Sequence, residues 1–157
     1  MRRKELEITD PAKLKKILKS VKYVTIALTK GNQPYLVSLS HGYDEANNCI
    51  YFHCANEGKK IDYLKANNVV WGQALLDGGY QEEECNHFFA TTQFRGKVTF
   101  LKNIKEKQQA AELMIKQLNK KPNKMLTDTT PRKLGTATFG RIDIEFMSGK
   151  KHGEMSL

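Results

Sequence analysis

Six strand-like runs joined mostly by short turns, helices set beside them, and the lack of a repeating strand–helix–strand series predict an α+β, mainly β protein. The first three runs form a meander, and six antiparallel strands of this length close into a small barrel. At 157 residues the chain is expected to form one domain, 1–157. A hydrophobic content of 39% against 27% charged supplies a packed core.

Asp10-Pro11 opens the first helix, since Asp caps free N–H groups and Pro fits the first helical position. Leu14, Ile17, Leu18 and Val21 then recur at helical spacing, with Lys13, Lys15, Lys16 and Lys19 mostly off that stripe. Tyr23 to Thr29 is β-branched and aromatic and reads as a strand. After the turn Lys30-Gly31-Asn32-Gln33, a second strand is predicted from Pro34 to Tyr43 and a third from Cys49 to Ala55. Ile61 and Leu64 mark a short helix behind Gly58-Lys59-Lys60. Val69 to Leu76 is the fourth strand, around the only Trp, and Asp77 to Cys85 reads as an acidic loop. His87 to Leu101 gives a fifth strand kinked at Gly96. Ile104, Ala111, Met114, Ile115 and Leu118 mark a second long helix. Asn119 to Pro131 reads as a loop, Thr136 to Met147 as the sixth strand, and the rest as a polar tail.

The net charge of +9 suggests an anionic partner: nucleic acid, a membrane surface or a phosphorylated small molecule. Only five of the 26 basic residues are Arg, and the Lys are spread along the chain. That pattern suits a solvated surface better than nucleic-acid recognition, which favours clustered Arg with exposed aromatics. No apolar run approaches the ~18–20 residues of a membrane span. The basic start Met1-Arg2-Arg3-Lys4 runs into Glu5-Leu6-Glu7 where a signal peptide would be apolar. Three cysteines cannot all pair, and no CxxC occurs. The expectation is a cytosolic protein with reduced thiols. Phosphate loops of the GxGxxG or Walker type are absent. Cys85 and His87, taken with His53 and Cys54, have no convincing zinc spacing.

The most specific segment is Tyr51-Phe52-His53-Cys54-Ala55-Asn56-Glu57-Gly58-Lys59-Lys60-Ile61-Asp62. A strand runs into a helix whose first turn carries glycine and two ammonium groups. A helix N-terminus offers free N–H groups and the positive end of the dipole, and lysines there add charge-assisted bonds to a phosphate.

This arrangement resembles the FMN-binding split barrel of the pyridoxamine phosphate oxidase-like superfamily, closest to its nitroimidazole-resistance branch. Four stretches carry the likeness, in order and across nearly the whole chain. They are the opening MRRKELEITD, QPYLVSLSHGYD, YFHCANEGKKID and the closing GRIDIEFMSGKK. The resemblance implies a six-stranded antiparallel split barrel with flanking helices. It implies a homodimer with FMN at the subunit interface, and an oxidoreductase that passes electrons from a small donor to a small acceptor. By the same likeness, Lys59 and Lys60 match the pair that holds the FMN phosphate. His53 and Cys54 match residues beside the flavin, and Val37, Ser38, Leu39 and Ser40 match the strand lining its ring. His53 is the candidate catalytic acid–base group. The chain departs from the pattern at Ser38, where the branch often has Pro, and at His41, where it often has an aromatic or apolar residue. In the fifth strand no arginine stands where relatives carry Tyr-Arg-Ser. Two rival readings use the same composition: a non-catalytic flavin- or haem-binding module, and a basic nucleic-acid-binding domain.

Overall fold

The alternation read from the sequence folds into seven antiparallel strands. The computed structural model describes residues 2–157, and Met1, the first letter of the opening stretch quoted above, lies outside the described residues. The strands are β1 (Tyr23–Lys30), β2 (Gln33–Ser40), β3 (Gly42–Asp44), β4 (Cys49–Cys54), β5 (Val69–Gln81), β6 (Asn86–Phe100) and β7 (Thr138–His152). The helices are α1 (Pro11–Ser20), α2 (Lys59–Ala66), α3 (Ile104–Leu118), α4 (Asn123–Thr127) and α5 (Pro131–Thr136).

The strand order is β2-β1-β5-β6-β7-β4-β3. β2 and β3 sit at opposite ends of that order, yet only His41 separates them in sequence. The sheet therefore curls until its two edges meet, and β2 comes beside β4. The seam is closed by the chain itself and not by a ladder, so the barrel is split along it.

Every second residue of β1 (Val24, Ile26, Leu28) turns inward and is fully buried. Leu39, Ile50, Phe52, Val70, Phe94 and Ile142 join them, and α1 adds Leu14, Ile17 and Leu18. The opposite face of β4 packs Cys49 and Tyr51, with Phe139 of β7, against Ala110, Ala111 and Met114 of α3 and Leu134 of α5. β4 is thus buried on both faces over most of its length.

The predicted second strand breaks into β2 and β3 at His41, which raises the count from six to seven. The cause is the His41 side chain: it is fully buried and bonds the carbonyl of Leu18 in α1 at 2.9 Å. The acidic loop from Asp77 is instead the outer half of a long hairpin. β5 runs to Gln81, Glu82–Glu84 form a 3-10 turn, and Cys85 takes a left-handed conformation at φ 47°. Asp77 makes this possible by accepting from the Gly79 amide at 2.8 Å and from His87 Nε2 at 2.7 Å across the hairpin. The kink expected at Gly96 is present as a register shift between Arg95 and Gly96. A Cβ at Gly96 would lie 2.4 Å from the Asp143 carbonyl. Glu145, the extra residue on β7, is held by Arg95 at 3.2 Å and Lys97 at 3.0 Å. The loop after α3 contains α4 and leads into α5, and β7 starts later and runs further than predicted. Ile104 is exposed, not core, while Met155 and Leu157 of the tail pack back on the barrel.

Candidate functional site

Strand alternation decides which of the expected residues present a side chain to a ligand. In β2, Val37 and Leu39 turn into the barrel, whereas Ser38 and Ser40 are exposed on its outer surface. The Ser38 hydroxyl lies 3.0 Å from that of Thr25 on β1. β2 ends the strand order, so among the described residues its second flank has no sheet partner. Backbone donors and acceptors along Val37–Ser40 are open there. In β4, Ile50 and Phe52 face the barrel core, which turns Cys54 inward and His53 outward. The two expected neighbours of the flavin therefore lie on opposite faces. His53 is exposed, its ring 6.0 Å from that of Phe139. Burial pushes the Cys54 thiol up, and the Lys60 ammonium opposes that shift.

The start of α2 differs chemically from those of α1, α3 and α5, although α4 likewise has no side-chain cap. Asp10, Asn103 and Thr130 accept hydrogen bonds from the first turns of α1, α3 and α5. α2 begins at Gly58, at φ 121°, with no side-chain cap. Its first-turn amides are left for a ligand, at the positive end of the dipole. Lys59 Nζ stands 4.6 Å from the Tyr35 ring and 5.5 Å from that of Tyr63; Lys60 Nζ stands 6.0 Å from the Phe52 ring. Tyr35 is on β2 and Phe52 on β4, so the two ammonium groups span the seam. Asn56 anchors the approach to α2: it donates to the Thr136 carbonyl at 3.0 Å and accepts from the Thr138 hydroxyl at 2.5 Å.

Two further features emerge from the three-dimensional arrangement. The outer sheet surface carries an apolar row, Leu36–Ala27–Trp71–Arg95–Phe146 interrupted only by Arg95, beside a polar row, Ser38–Thr25–Gln73–Gln93–Ser148. A hollow of about 240 Å³ opens between Leu36, Trp71 and Gln93. Apolar residues in both phases of β5 were the sequence signal for an outer apolar surface. The second feature is a cavity of about 400 Å³ beside His53, walled by α3, α4 and α5. Its walls lie in the segment read as a loop. Cys85 and His87, by contrast, are nearly the length of β6 from His53 and Cys54, roughly 40 Å at strand rise.

An antiparallel barrel open along a β2–β4 seam, with a basic uncapped helix start at that seam, defines a split-barrel protein. Residues 10–151 match the pyridoxamine 5′-phosphate oxidase family, and the chain belongs to that family. No curated protein matches the sequence. The fold resembles that of a candidate 5-nitroimidazole antibiotic resistance protein from Bacteroides thetaiotaomicron, with a TM-score of 0.81 and 23% identity over 93% of this chain and 86% of that one. It resembles a FAD-binding protein from Mesorhizobium loti, with a TM-score of 0.68 and 22% identity over 92% and 96% of the two chains. The flavocytochrome Anf3 from Azotobacter vinelandii has a TM-score of 0.80 and 16% identity over 100% of this chain and 74% of that one. At these identities the likeness is one of fold.

Proposed function

We propose that the protein is a flavoprotein oxidoreductase that holds FMN and passes electrons from a reduced nicotinamide nucleotide, or another small donor, to a small acceptor. The observation that carries this reading is the α2 start: uncapped amides and two ammonium groups beside a strand edge with free backbone groups. A phosphate monoester is a dianion, and Lys59 and Lys60 match its charge.

When bound, the flavin supplies reversible two-electron chemistry. The chain's own residues bind and orient it. Lys59, Lys60 and the α2 amides hold the phosphate. The free flank of Val37–Ser40, with the Ser38 and Ser40 hydroxyls, faces the ring. His53, which projects outward from β4, holds or delivers a proton beside it. Cys54 and the side chains of Val37 and Leu39 contribute packing from within the barrel. A second copy of the chain covers the outer sheet surface and completes the site. The protein is assigned to the cytosol; its three cysteines are unpaired. Among the described residues no helix is long and apolar enough to cross a membrane.

The decisive experiment replaces Lys59 and Lys60 together with Glu, turning two attractions into two repulsions. Charge-assisted bonds contribute roughly 1.5–3 kcal/mol each, so FMN affinity is expected to fall at least a hundredfold by the same estimate. Riboflavin, which has no phosphate, is expected to bind almost as before. Fluorescence titration with both ligands reads the outcome, and unchanged FMN affinity overturns the assignment.

A further inference from the structure

We propose that the cavity beside His53 is a binding site for an apolar organic anion, specifically an aromatic carboxylate, distinct from the phosphate site at α2. The cavity has about 400 Å³, within the usual range for small-molecule sites. Met114, Ile115 and Leu118 of α3, Leu134 of α5 and Phe139 of β7 make its walls apolar. Such walls take a flat ring system well: thioethers favour aromatic contacts, and a rigid ligand loses little freedom on binding.

The charge around the cavity selects for an anion. Residues 102–133, which build α3, α4 and the approach to α5, hold nine basic and three acidic side chains. Two-thirds of the net charge of the protein thus sits in about a fifth of its length. All of these basic groups except Lys107 are exposed, and those nearest the lining in sequence (Lys120, Lys121, Lys124, Arg132 and Lys133) set the sign of the field at the cavity mouth. Lys133 lines the cavity itself, and its ammonium donates only to the backbone carbonyl of Asp128 at 3.0 Å, leaving it free for a carboxylate. Asp128 is the one acid of the lining. It faces a rim that holds Lys133, with Lys120, Lys121 and Lys124 in the adjoining turns. A neutral hydrocarbon gains nothing from this field, and a small hydrophilic anion gains nothing from the walls; only a molecule that is both uses the whole site.

This inference shares His53 with the flavin reading but does not rest on it, because its test is equilibrium binding. Isothermal titration of the full-length protein with 2-naphthoate is expected to show one site per chain. The neutral isostere 2-naphthalenemethanol is expected to bind at least about tenfold more weakly. Lys133→Glu, on the surface, should weaken naphthoate binding about fivefold or more and leave the isostere unchanged. Ala137→Phe fills the cavity and should abolish binding of both; Ile115→Trp does the same from the other wall if the first variant does not fold. Saturating FMN should leave naphthoate affinity within about threefold. Equal affinity for the acid and its neutral isostere, undiminished binding in a folded cavity-filled variant, or displacement of naphthoate by FMN each overturns the proposal. The last outcome would make the cavity part of the flavin site and leave the flavin reading standing. Loss of FMN binding in the α2 double variant, with naphthoate binding intact, separates the two sites.

Discussion

Two histidines show how burial decides what an imidazole does. His53 is exposed next to Phe139, and its proposed role is proton transfer beside the flavin. His53→Ala is expected to keep FMN and to slow reoxidation by a nitroaromatic acceptor by ~10²–10⁴-fold, the range of a positioned acid–base group. Stopped-flow reoxidation normalised to bound FMN measures this. A rate within threefold of the parent, roughly 0.65 kcal/mol of barrier, leaves the residue with a structural role only. His41 is the opposite case. Its Nε2 donates to the Leu18 carbonyl, and its buried Nδ1 finds no hydrogen-bond partner among the described residues. Gln117 braces the same junction, donating to the carbonyls of Leu18 and Val21 and accepting from the Tyr43 amide. Desolvation holds the His41 pKa below its ordinary value of 6.5, against the pull of the Leu18 and Lys22 backbone. Below that value the unfolded chain binds a proton that the native state refuses, so stability falls as pH drops through the ordinary histidine range. The urea midpoint is expected to decline from about pH 7 to about pH 5 in the parent and to flatten in His41→Gln. Equal slopes would remove His41 as the cause. The exposed carboxylates with lowered pKa (Glu5, Glu45, Asp77, Glu145) lose their contributions below their own ordinary values, at more acid pH.

Within the barrel the elements lock through two matched pairs. Gly72 of β5 lies opposite Phe94 of β6, and Gly140 of β7 opposite Phe52 of β4. Each phenylalanine ring lies over its glycine: a Cβ at Gly72 would fall 2.1 Å from the Phe94 ring, and one at Gly140 2.2 Å from that of Phe52. Both rings are fully buried, so neither has room to move. Gly72→Ala is expected to cost about 2–3 kcal/mol as overpacking, or a melting-temperature loss of about 4–12 °C for a chain of this size. Adding Phe94→Leu should recover part of it, and additive losses would disprove the pairing as the cause. Such pairs also show where the sequence stops being legible. Alternation in Tyr23–Thr29 or Cys49–Cys54 is local and was readable. The break at His41 was not, because apolar and polar residues keep alternating through it and the cause is a bond to α1. The outer half of the β5–β6 hairpin was hidden because Asp77, two glycines and three glutamates are turn chemistry locally, while their pairing is set across the hairpin. Thr130-Pro131 is a helix-start signal, but α5 is only six residues long and its Leu134 is buried by α3. The strand-to-helix element that carries Gly58-Lys59-Lys60 was legible as a motif. The opposite facing of His53 and Cys54 followed from strand alternation. The cavity was not legible, since Met114, Leu134 and His53 meet only in three dimensions.

On the scale of the whole molecule, the outer sheet surface calls for a partner. Leu36 (67% exposed), Trp71 (47%), Leu75 (51%) and Phe146 (49%) share it, and Trp71 meets Phe146 edge to face at 5.9 Å. Five strands about 4.8 Å apart and eight residues long at about 3.3 Å make a surface of roughly 600 Å². That approaches the ~800 Å² each partner contributes to a stable interface. With a two-fold axis parallel to the strands each row pairs with itself, so apolar residues meet apolar ones while the hydroxyl and amide row meets its own copy. The same surface includes Ser38 and the exposed edge of β2, so the proposed dimer and the proposed FMN site are thermodynamically linked. FMN is expected to raise the melting temperature and to shift any monomer toward dimer. Leu36→Glu combined with Trp71→Glu puts four like charges within that interface, and should give a folded monomer with weakened FMN affinity but an unchanged cavity site. Light scattering with and without FMN distinguishes the cases. A stable FMN-loaded monomer of the parent would show that one copy holds the flavin alone, and the apolar surface would then need a different partner.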